Sequence, residues 1–579
     1  MNLEVEQLAG AVRPRLPNAD NTAKVTPGSR HKRIPSAAKP WHSEEIQRMF
    51  APAQNALVPR AIQLALNIML RLPIVAALAA LTFFDPASAA EAAKPDAAME
   101  ARIQALIPDL EAYIASGMTA FDNPGLAIGI VAGDELVYAK GFGVGKKGGE
   151  PVDTRTVFQI GSATKGFLAT TMAIAVDRGR FRWDDRIVDL DPEFQLKDAW
   201  VTREFRMFDI IAQRSGLPPY VNDMLSMLGL DEASLIRSLR YVDPVSSFRS
   251  TFAYTNITHL EAGRIVAKLE GASDWEAVLR KDIFEPLGIT ESSTTAEAIE
   301  AAANHAQGYR WSPDGTVEVP FTPRFPYSYA GAGAINSTVE DMARWVRLQL
   351  GNGTFEGKRI VSPENLAVTR MARVAINDKA AYAMGWVIQM TPNGDIVWHN
   401  GGTPSFGSYV GVQLNERVGV VVLTNETNVG FPDAIGAWVL DRLVDNPDVD
   451  HVAERLRLAK EGAEKDAKLW ARPANPRPSP PLAPLAGSFT HPAVGRAAVK
   501  QDGDALVMEF AAGAALKLDP WDGEIFTATL VPNGPFAALA ENEGPEPTAF
   551  AQFQIDATGR LDVLRLTADD GQTYEFRRE

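Results

Sequence analysis

Ser162 and Lys165, in the segment Phe158-Gln159-Ile160-Gly161-Ser162-Ala163-Thr164-Lys165, have the types and spacing of a nucleophile and its base. A serine hydroxyl is a weak nucleophile until a base takes its proton. On a helix, residues i and i+3 share a face, so the spacing puts Lys165 beside Ser162. A serine at a helix start also has backbone N–H groups and the positive dipole end nearby, which favour a developing oxyanion. A lysine works as a base when burial or a cationic neighbour lowers its proton affinity. Alone, the S-x-x-K pattern is better accounted for by an N-cap serine and a solvated first-turn lysine. Two more clusters follow. Phe252-Ala253-Tyr254-Thr255-Asn256 offers a phenol able to relay a proton to a leaving group. It also offers an amide, Asn256, that can both accept from an ammonium and donate to a substrate. Trp398-His399-Asn400-Gly401-Gly402 places two glycines where backbone must approach a ligand. There the N–H of Gly402, with that of Ser162, could form an oxyanion hole. Each cluster has an ordinary reading: a core tyrosine with a turn asparagine, or a glycine hairpin with a surface histidine. All three in one chain, set on a helix, a loop and a strand, make coincidence a poor account.

The elements that must position these residues are legible in the apolar pattern. Residues 162–177 read as a helix that is apolar nearly all round, hence central, and stopped by Gly179. An amphipathic helix is predicted from Ala97 to about Ile114, with Pro108 expected to break or kink it. Strand-like runs at 125–131 and 135–141 are joined by Ala132-Gly133-Asp134, which is hairpin chemistry. Helical patterns and Pro/Gly loops fill the middle, including a helix over 274–283. Strands return at 383–390, 395–399, 408–414 and 419–424. The two ends of residues 97–450 are therefore expected to share one antiparallel sheet flanked by helices, an α+β domain with an all-helical region. A helix and a stiff Pro-rich linker follow at 451–484. Short alternating runs over 485–579 predict a small all-β barrel or sandwich.

Composition narrows the chemistry. The 579 residues carry a formal net charge of −15, which argues against a nucleic-acid partner. Hydrophobic residues at 46% and charged residues at 22% suit a globular chain. With no cysteine there is no thiolate metal site or thiol nucleophile, and the seven histidines form no H-x-x-x-H or H-E-x-x-H pattern. No metal or cofactor is expected. Residues 1–68 are expected to be a disordered extension or a start placed too early. Residues 69–89 read as a secretory signal: Met69-Leu70-Arg71, an apolar run to Phe84, then Ala87-Ser88-Ala89 as the cleavage site. The expected destination is periplasmic or extracellular. A membrane would be involved only if the signal stayed uncleaved as an anchor.

The motifs at Ser162–Lys165, Tyr254–Asn256 and His399–Gly401 resemble the S-x-x-K, Y-x-N and K/H-x-G elements of class C β-lactamases and DD-peptidase-related serine hydrolases. The stretches PGLAIGIV, SGLPPY, FEPLGIT, AINSTVEDMARW and VGVVVLTNE resemble that family too. The resemblance implies a sheet flanked by helices plus an all-helical region. It implies an acyl-Ser162 intermediate with proton transfers shared by Lys165 and Tyr254, and substrate binding by Asn256, His399, Gly401 and Gly402. Residues 485–579 are similar to the lipocalin-like barrels appended to some of these hydrolases. Two departures stand out. His399 replaces a permanent lysine cation, and a histidine is largely neutral at pH 7; this favours a peptidase or esterase over a true β-lactamase. Gln213-Arg214-Ser215-Gly216-Leu217 stands where relatives often read His-x-Ser-Gly-Leu. The expected partner is a peptide or small-molecule substrate, with peptidoglycan-derived peptides among the candidates. The competing reading is a catalytically inert module on the same fold that binds peptidoglycan peptides or takes part in an assembly. An α/β-hydrolase is disfavoured, because the chain has no G-x-S-x-G elbow.

Overall fold

A computed structural model describes residues 97–579 apart from Gly559. The expected extension over 1–68 and the expected signal over 69–89 lie outside the described residues.

The apolar run GLAIGIVA forms strand β1 (Gly125–Ala132), buried along its whole length. Such a run needs cover on both faces of its sheet. Leu126, Ile128 and Ile130 point into one core and Ala127 and Val131 into the other, the period-2 alternation of a strand. Helix α1 (Ala97–Phe121) packs in the first core. It continues past Pro108, so the proline does not break it. An interior proline costs about 3 kcal/mol. Ile103, Leu110, Ile114 and Phe121 are fully buried, each contributing roughly 2 kcal/mol, so the face outweighs the proline.

After β2 (Glu135–Gly143), helix α2 (Thr164–Asp177) is buried from Thr164 to Ala175. It begins two residues later than its apolar pattern suggests, because Gly161–Ala163 form a 3₁₀ turn that holds Ser162. Helix α3 (Ile257–Glu270) carries the segment after Tyr254 away from the site. Helix α4 (Val339–Leu350) starts at Thr338, whose side chain accepts from the Asp341 N–H at 3.1 Å. Trp345 on α4 stacks on Phe167 of α2 with ring centroids 4.0 Å apart.

Strands β3 (Val374–Ala375), β4 (Ala380–Tyr382), β5 (Val387–Gln389), β6 (Ile396–Gly402), β7 (Gly407–Gln413) and β8 (Val418–Thr424) complete the sheet. Its order is β2-β1-β8-β7-β6-β5-β4-β3. The chain ends of this region do meet: β1 pairs antiparallel with β8, Leu126 opposite Thr424. Helix α5 (Phe431–Leu443) closes the α1 side, through Phe431 on Phe121 and Trp438 on Tyr113.

Helix α6 (His451–Leu469) leads into the Pro-rich stretch. Arg472 donates to the Trp521 carbonyl, and Arg477 pairs with Asp522 at 3.0 Å, laying the stretch along the domain that follows. That domain is a closed eight-stranded barrel in chain order: β9 (Gly487–His491), β10 (Gly495–Asp502), β11 (Ala505–Phe510), β12 (Ala515–Asp522), β13 (Ile525–Leu530), β14 (Ala549–Ile555), β15 (Leu561–Ala568) and β16 (Thr573–Arg578). Closure removes the sheet edges. Phe489, Leu506, Met508, Phe526, Leu564 and Phe576 are buried in it. A short helix, α7 (Ala537–Glu543), interrupts it between β13 and β14.

Candidate active site

The site lies where the start of α2 meets the end of β6. Gly161 has φ +49°, a left-handed conformation that glycine adopts without strain. A Cβ on Gly161 would fall 2.8 Å from the Gly402 nitrogen, and one on Gly401 would fall 1.8 Å from the Ile160 carbonyl oxygen. Only glycines allow this approach. Ser408 on β7 secures it by donating to the same Ile160 carbonyl at 2.6 Å. The geometry therefore brings the Gly401–Gly402 strand end against the turn that holds Ser162.

Lys165 is fully buried and Ser162 is 8% exposed. The Lys165 Nζ lies 3.0 Å from Ser162 Oγ, 2.7 Å from Asn256 Oδ1 and 3.0 Å from the Ala332 carbonyl. It also sits 4.7 Å from the centre of the Tyr254 ring. Tyr254 is buried, with the rings of Tyr220, Tyr382 and His399 packed around it. Burial pushes the Lys165 ammonium down to about 7, and the Asp223 charge pulls it back only in part.

His399 is placed differently from a residue that greets substrate. It is 1% exposed. Its Nδ1 lies 2.5 Å from the Asn400 carbonyl, which only accepts, so Nδ1 carries the proton. Nε2, 3.0 Å from the Tyr382 hydroxyl, is then the acceptor. Burial, reinforced by Lys165, pushes its pKa down to about 3, so the ring is neutral at pH 7. His259 on α3 is likewise driven well below the ordinary histidine value, by burial first and then by Lys165 and His399.

Three contributors escaped the sequence reading. Asp223 accepts from Asn256 Nδ2 at 2.6 Å, which extends the line from Lys165 through Asn256 to a carboxylate. Its other oxygen, Oδ1, is enclosed and has no hydrogen-bond partner among the described residues. Burial raises its pKa to about 7, against the lowering effects of Asn256 and Lys165, and Asp570 raises it further. Gln213 accepts from the Thr255 N–H at 2.6 Å and the Thr255 hydroxyl at 3.0 Å. It also donates to the Thr255 carbonyl at 3.2 Å. It thus grips the residue between Tyr254 and Asn256. Tyr382, from β4, is the partner of His399. None has a local motif, although Gln213 stood in a loop already singled out. Among the described residues no group of three or more His, Asp or Glu is placed to hold a metal ion.

A family model described as "Beta-lactamase" matches residues 110–444, and one described as "Domain of unknown function (DUF3471)" matches 471–578. An unguisins hydrolase of Aspergillus campestris is 26% identical over 399 residues, 64% of this chain and 73% of that protein. Penicillin-binding protein 4 of Amycolatopsis lactamdurans is 27% identical over 382 residues, 63% of this chain and 93% of that protein. The octameric penicillin-binding protein homologue from Pyrococcus abyssi superposes with a TM-score of 0.54 at 22% identity, over 81% of this chain and 99% of that one, which shows a common fold.

Proposed function

The chain belongs to the beta-lactamase family, and from that premise we propose that it is an exported serine hydrolase, cleaving amide or ester bonds through an acyl-Ser162 intermediate. The observation that carries this is the Lys165 amine, buried, held near neutrality and 3.0 Å from Ser162 Oγ. As a free amine, Lys165 has two N–H bonds for the Asn256 and Ala332 carbonyls, and its lone pair is left for the Ser162 proton. The flanking carbonyls thus select the orientation a base requires.

In this reading the Lys165 amine takes the hydroxyl proton as Oγ bonds to the substrate carbonyl carbon. The electron pair moves onto the carbonyl oxygen, which the N–H groups of Ser162 and Gly402 stabilise. Collapse expels the amine or alcohol, protonated from Lys165 by way of the Tyr254 hydroxyl. Water, activated by the same amine, then releases the acid and restores Ser162. His399, neutral and engaged on both nitrogens, supplies no cation for a substrate carboxylate. That favours a peptidase or esterase over a true β-lactamase. One relative is named for hydrolysing unguisins and another for binding penicillin, so both chemistries are to be assayed. The substrate would be a peptide or small molecule, with peptidoglycan-derived peptides among the candidates. Export rests on the signal pattern at 69–89. No described helix is long and apolar enough to cross a membrane.

The test is intact-protein mass spectrometry of the full chain with a fluorophosphonate and with a fluorescent penicillin. A single adduct on Ser162, lost in Ser162→Ala, is the expected result. A folded chain that forms no adduct with either probe would overturn the proposal in favour of an inert binding module.

A further inference from the structure

The barrel touches the hydrolase region at a place that bears on the chemistry. The turn between β15 and β16 is Asp569-Asp570-Gly571-Gln572, with Gly571 at φ +85°. Gln572 reaches out of the barrel to the loop that carries Asp223. Its Oε1 accepts from the Asn222 N–H at 2.8 Å, and its Nε2 donates to the Tyr220 carbonyl at 2.9 Å. The Asp570 carboxylate holds Gln572 in this pose, accepting from its backbone N–H at 2.8 Å and from its Nε2 at 2.6 Å. The loop so gripped is Tyr220–Asp223. It has two left-handed residues, Tyr220 at φ +53° and Asn222 at φ +58°, a conformation costly for non-glycine residues unless its surroundings hold it. The Tyr220 N–H meanwhile donates to the Tyr254 carbonyl at 2.6 Å. The next residue along, Asp223, begins the line Asp223–Asn256–Lys165.

We propose that Gln572 is a positioning residue for the hydrolase centre: it pins the strained Tyr220–Asp223 loop, sets the Asp223–Asn256–Lys165 line, and makes the C-terminal barrel a working part of the active site. A side chain that satisfies one N–H and one carbonyl of two residues in left-handed conformation is suited to this, because it stabilises the backbone shape and not a surface contact. Removing it frees the loop, admits water beside Lys165 and moves the Asn256 carbonyl. Burial is the larger influence on Lys165, so its proton affinity should rise. The groups that face this line are Lys165 from α2, Asp570 and Tyr574 from the barrel and Tyr329 from the segment before Ala330–Gly333, with His259 and His399 on the Lys165 side.

The inference rests on the proposed role of Lys165, and the experiment separates the two. In full-length protein, the rate of Ser162 acylation by a fluorophosphonate is measured against pH for the wild type, Gln572→Ala, Gln572→Glu and, as a control on the same hairpin, Thr573→Ala. In parallel, the Lys165 titration is followed by NMR of 13Cε-lysine-labelled protein, assigned with Lys165→Arg. Gln572→Ala is expected to slow acylation about tenfold to a hundredfold, the cost of a small misplacement. It should also raise the Lys165 titration by about one unit. Gln572→Glu keeps an acceptor for Asn222 but loses the donor to Tyr220 and to Asp570 and sets a carboxylate against Asp570, so it should be no better than Gln572→Ala; Thr573→Ala should match the wild type. A folded Gln572→Ala whose Lys165 titration is unmoved overturns the inference, whether or not the wild type acylates. A wild type that never acylates overturns the hydrolase proposal alone, and the titration still decides the role of Gln572.

Discussion

Lys165 must be buried enough to lose its proton near neutrality and still be held as an amine against Ser162. Burial lowers its pKa to about 7 and the Asp223 charge opposes this. The reactive form is the free amine, so acylation should climb as pH rises through about 7 and level off above it; a rate that is flat from pH 5 to 9 would contradict Lys165 as base. In Asp223→Asn the opposing charge is gone, Lys165 gives up its proton more easily, and the acid limb should move to lower pH. Lys165→Ala should cost ~10³-fold or more in turnover, as expected for catalytic groups that act as a unit. Lys165→Arg should be no better, because a guanidinium does not deprotonate. At this scale the sequence is readable where chemistry is local. Ser162 and Lys165 are three residues apart, and Tyr254 and Asn256 are two apart. Asp223 and Asn256 are separated by 33 residues and Gln213 and Thr255 by 42, so pairs made only by the fold left no pattern to find.

At the scale of elements, the site depends on how closely a turn and a strand end can approach. In Gly401→Ala the new methyl would sit 1.8 Å from the Ile160 carbonyl and 2.4 Å from Ser408 Oγ. Neither the carbonyl nor the hydroxyl that donates to it can yield without moving the Ser162 turn. Overpacking of this kind costs about 1–3 kcal/mol, so thermal unfolding should shift down, and acylation should fall further than the stability loss explains. Gln213→Ala tests the grip on the second motif. It leaves the buried Thr255 N–H and hydroxyl without the Gln213 acceptor, a loss of about 1–3 kcal/mol. The expected outcome is a lower denaturation midpoint with a slower acylation rate. The element pattern explains what was readable. β1 and β6–β8 and the barrel strands Ala505–Phe510 and Leu561–Ala568 show as apolar or alternating runs because one or two faces are buried along their length. Pro108 does not end α1, because propensity is local and the buried face of α1 is not. The composition of the Pro-rich stretch shows a stiff linker but not that Arg472 and Arg477 bond to the barrel.

At the scale of the whole molecule, the question is whether the barrel folds and melts with the hydrolase region. Gln572 is one of several ties. The Arg324 guanidinium lies 4.0 Å over the Phe536 ring, Arg310 donates to the carbonyls of Glu541 and Asn542, and Asn542 Nδ2 donates to the Pro320 carbonyl at 3.1 Å. Gly229 approaches so closely that a Cβ there would meet the Ala512 carbonyl at 2.7 Å. These ties come from helix α7, the turn before it and the β11–β12 turn on one side, and from the strand Tyr309–Ser312 and nearby loops of the hydrolase region on the other. An arginine stacked on an aromatic ring at a part-buried site is worth about 1–2 kcal/mol, and each neutral hydrogen bond about 1 kcal/mol. Together they are enough to couple two units whose own stabilities are of the order of 5–15 kcal/mol. Calorimetry of the full chain should therefore give one coupled transition. In Arg310→Ala/Arg324→Ala, which leaves both cores and the Ser162 constellation untouched, the transition should broaden or split. Its lower component should coincide with loss of the Ser162–fluorophosphonate reaction if the barrel also holds the Asp223 loop. A single transition in the double variant, at the wild-type temperature, would show that the Arg310 and Arg324 contacts carry no coupling energy and would leave the coupling to the remaining ties, Gln572 and Asn542 among them.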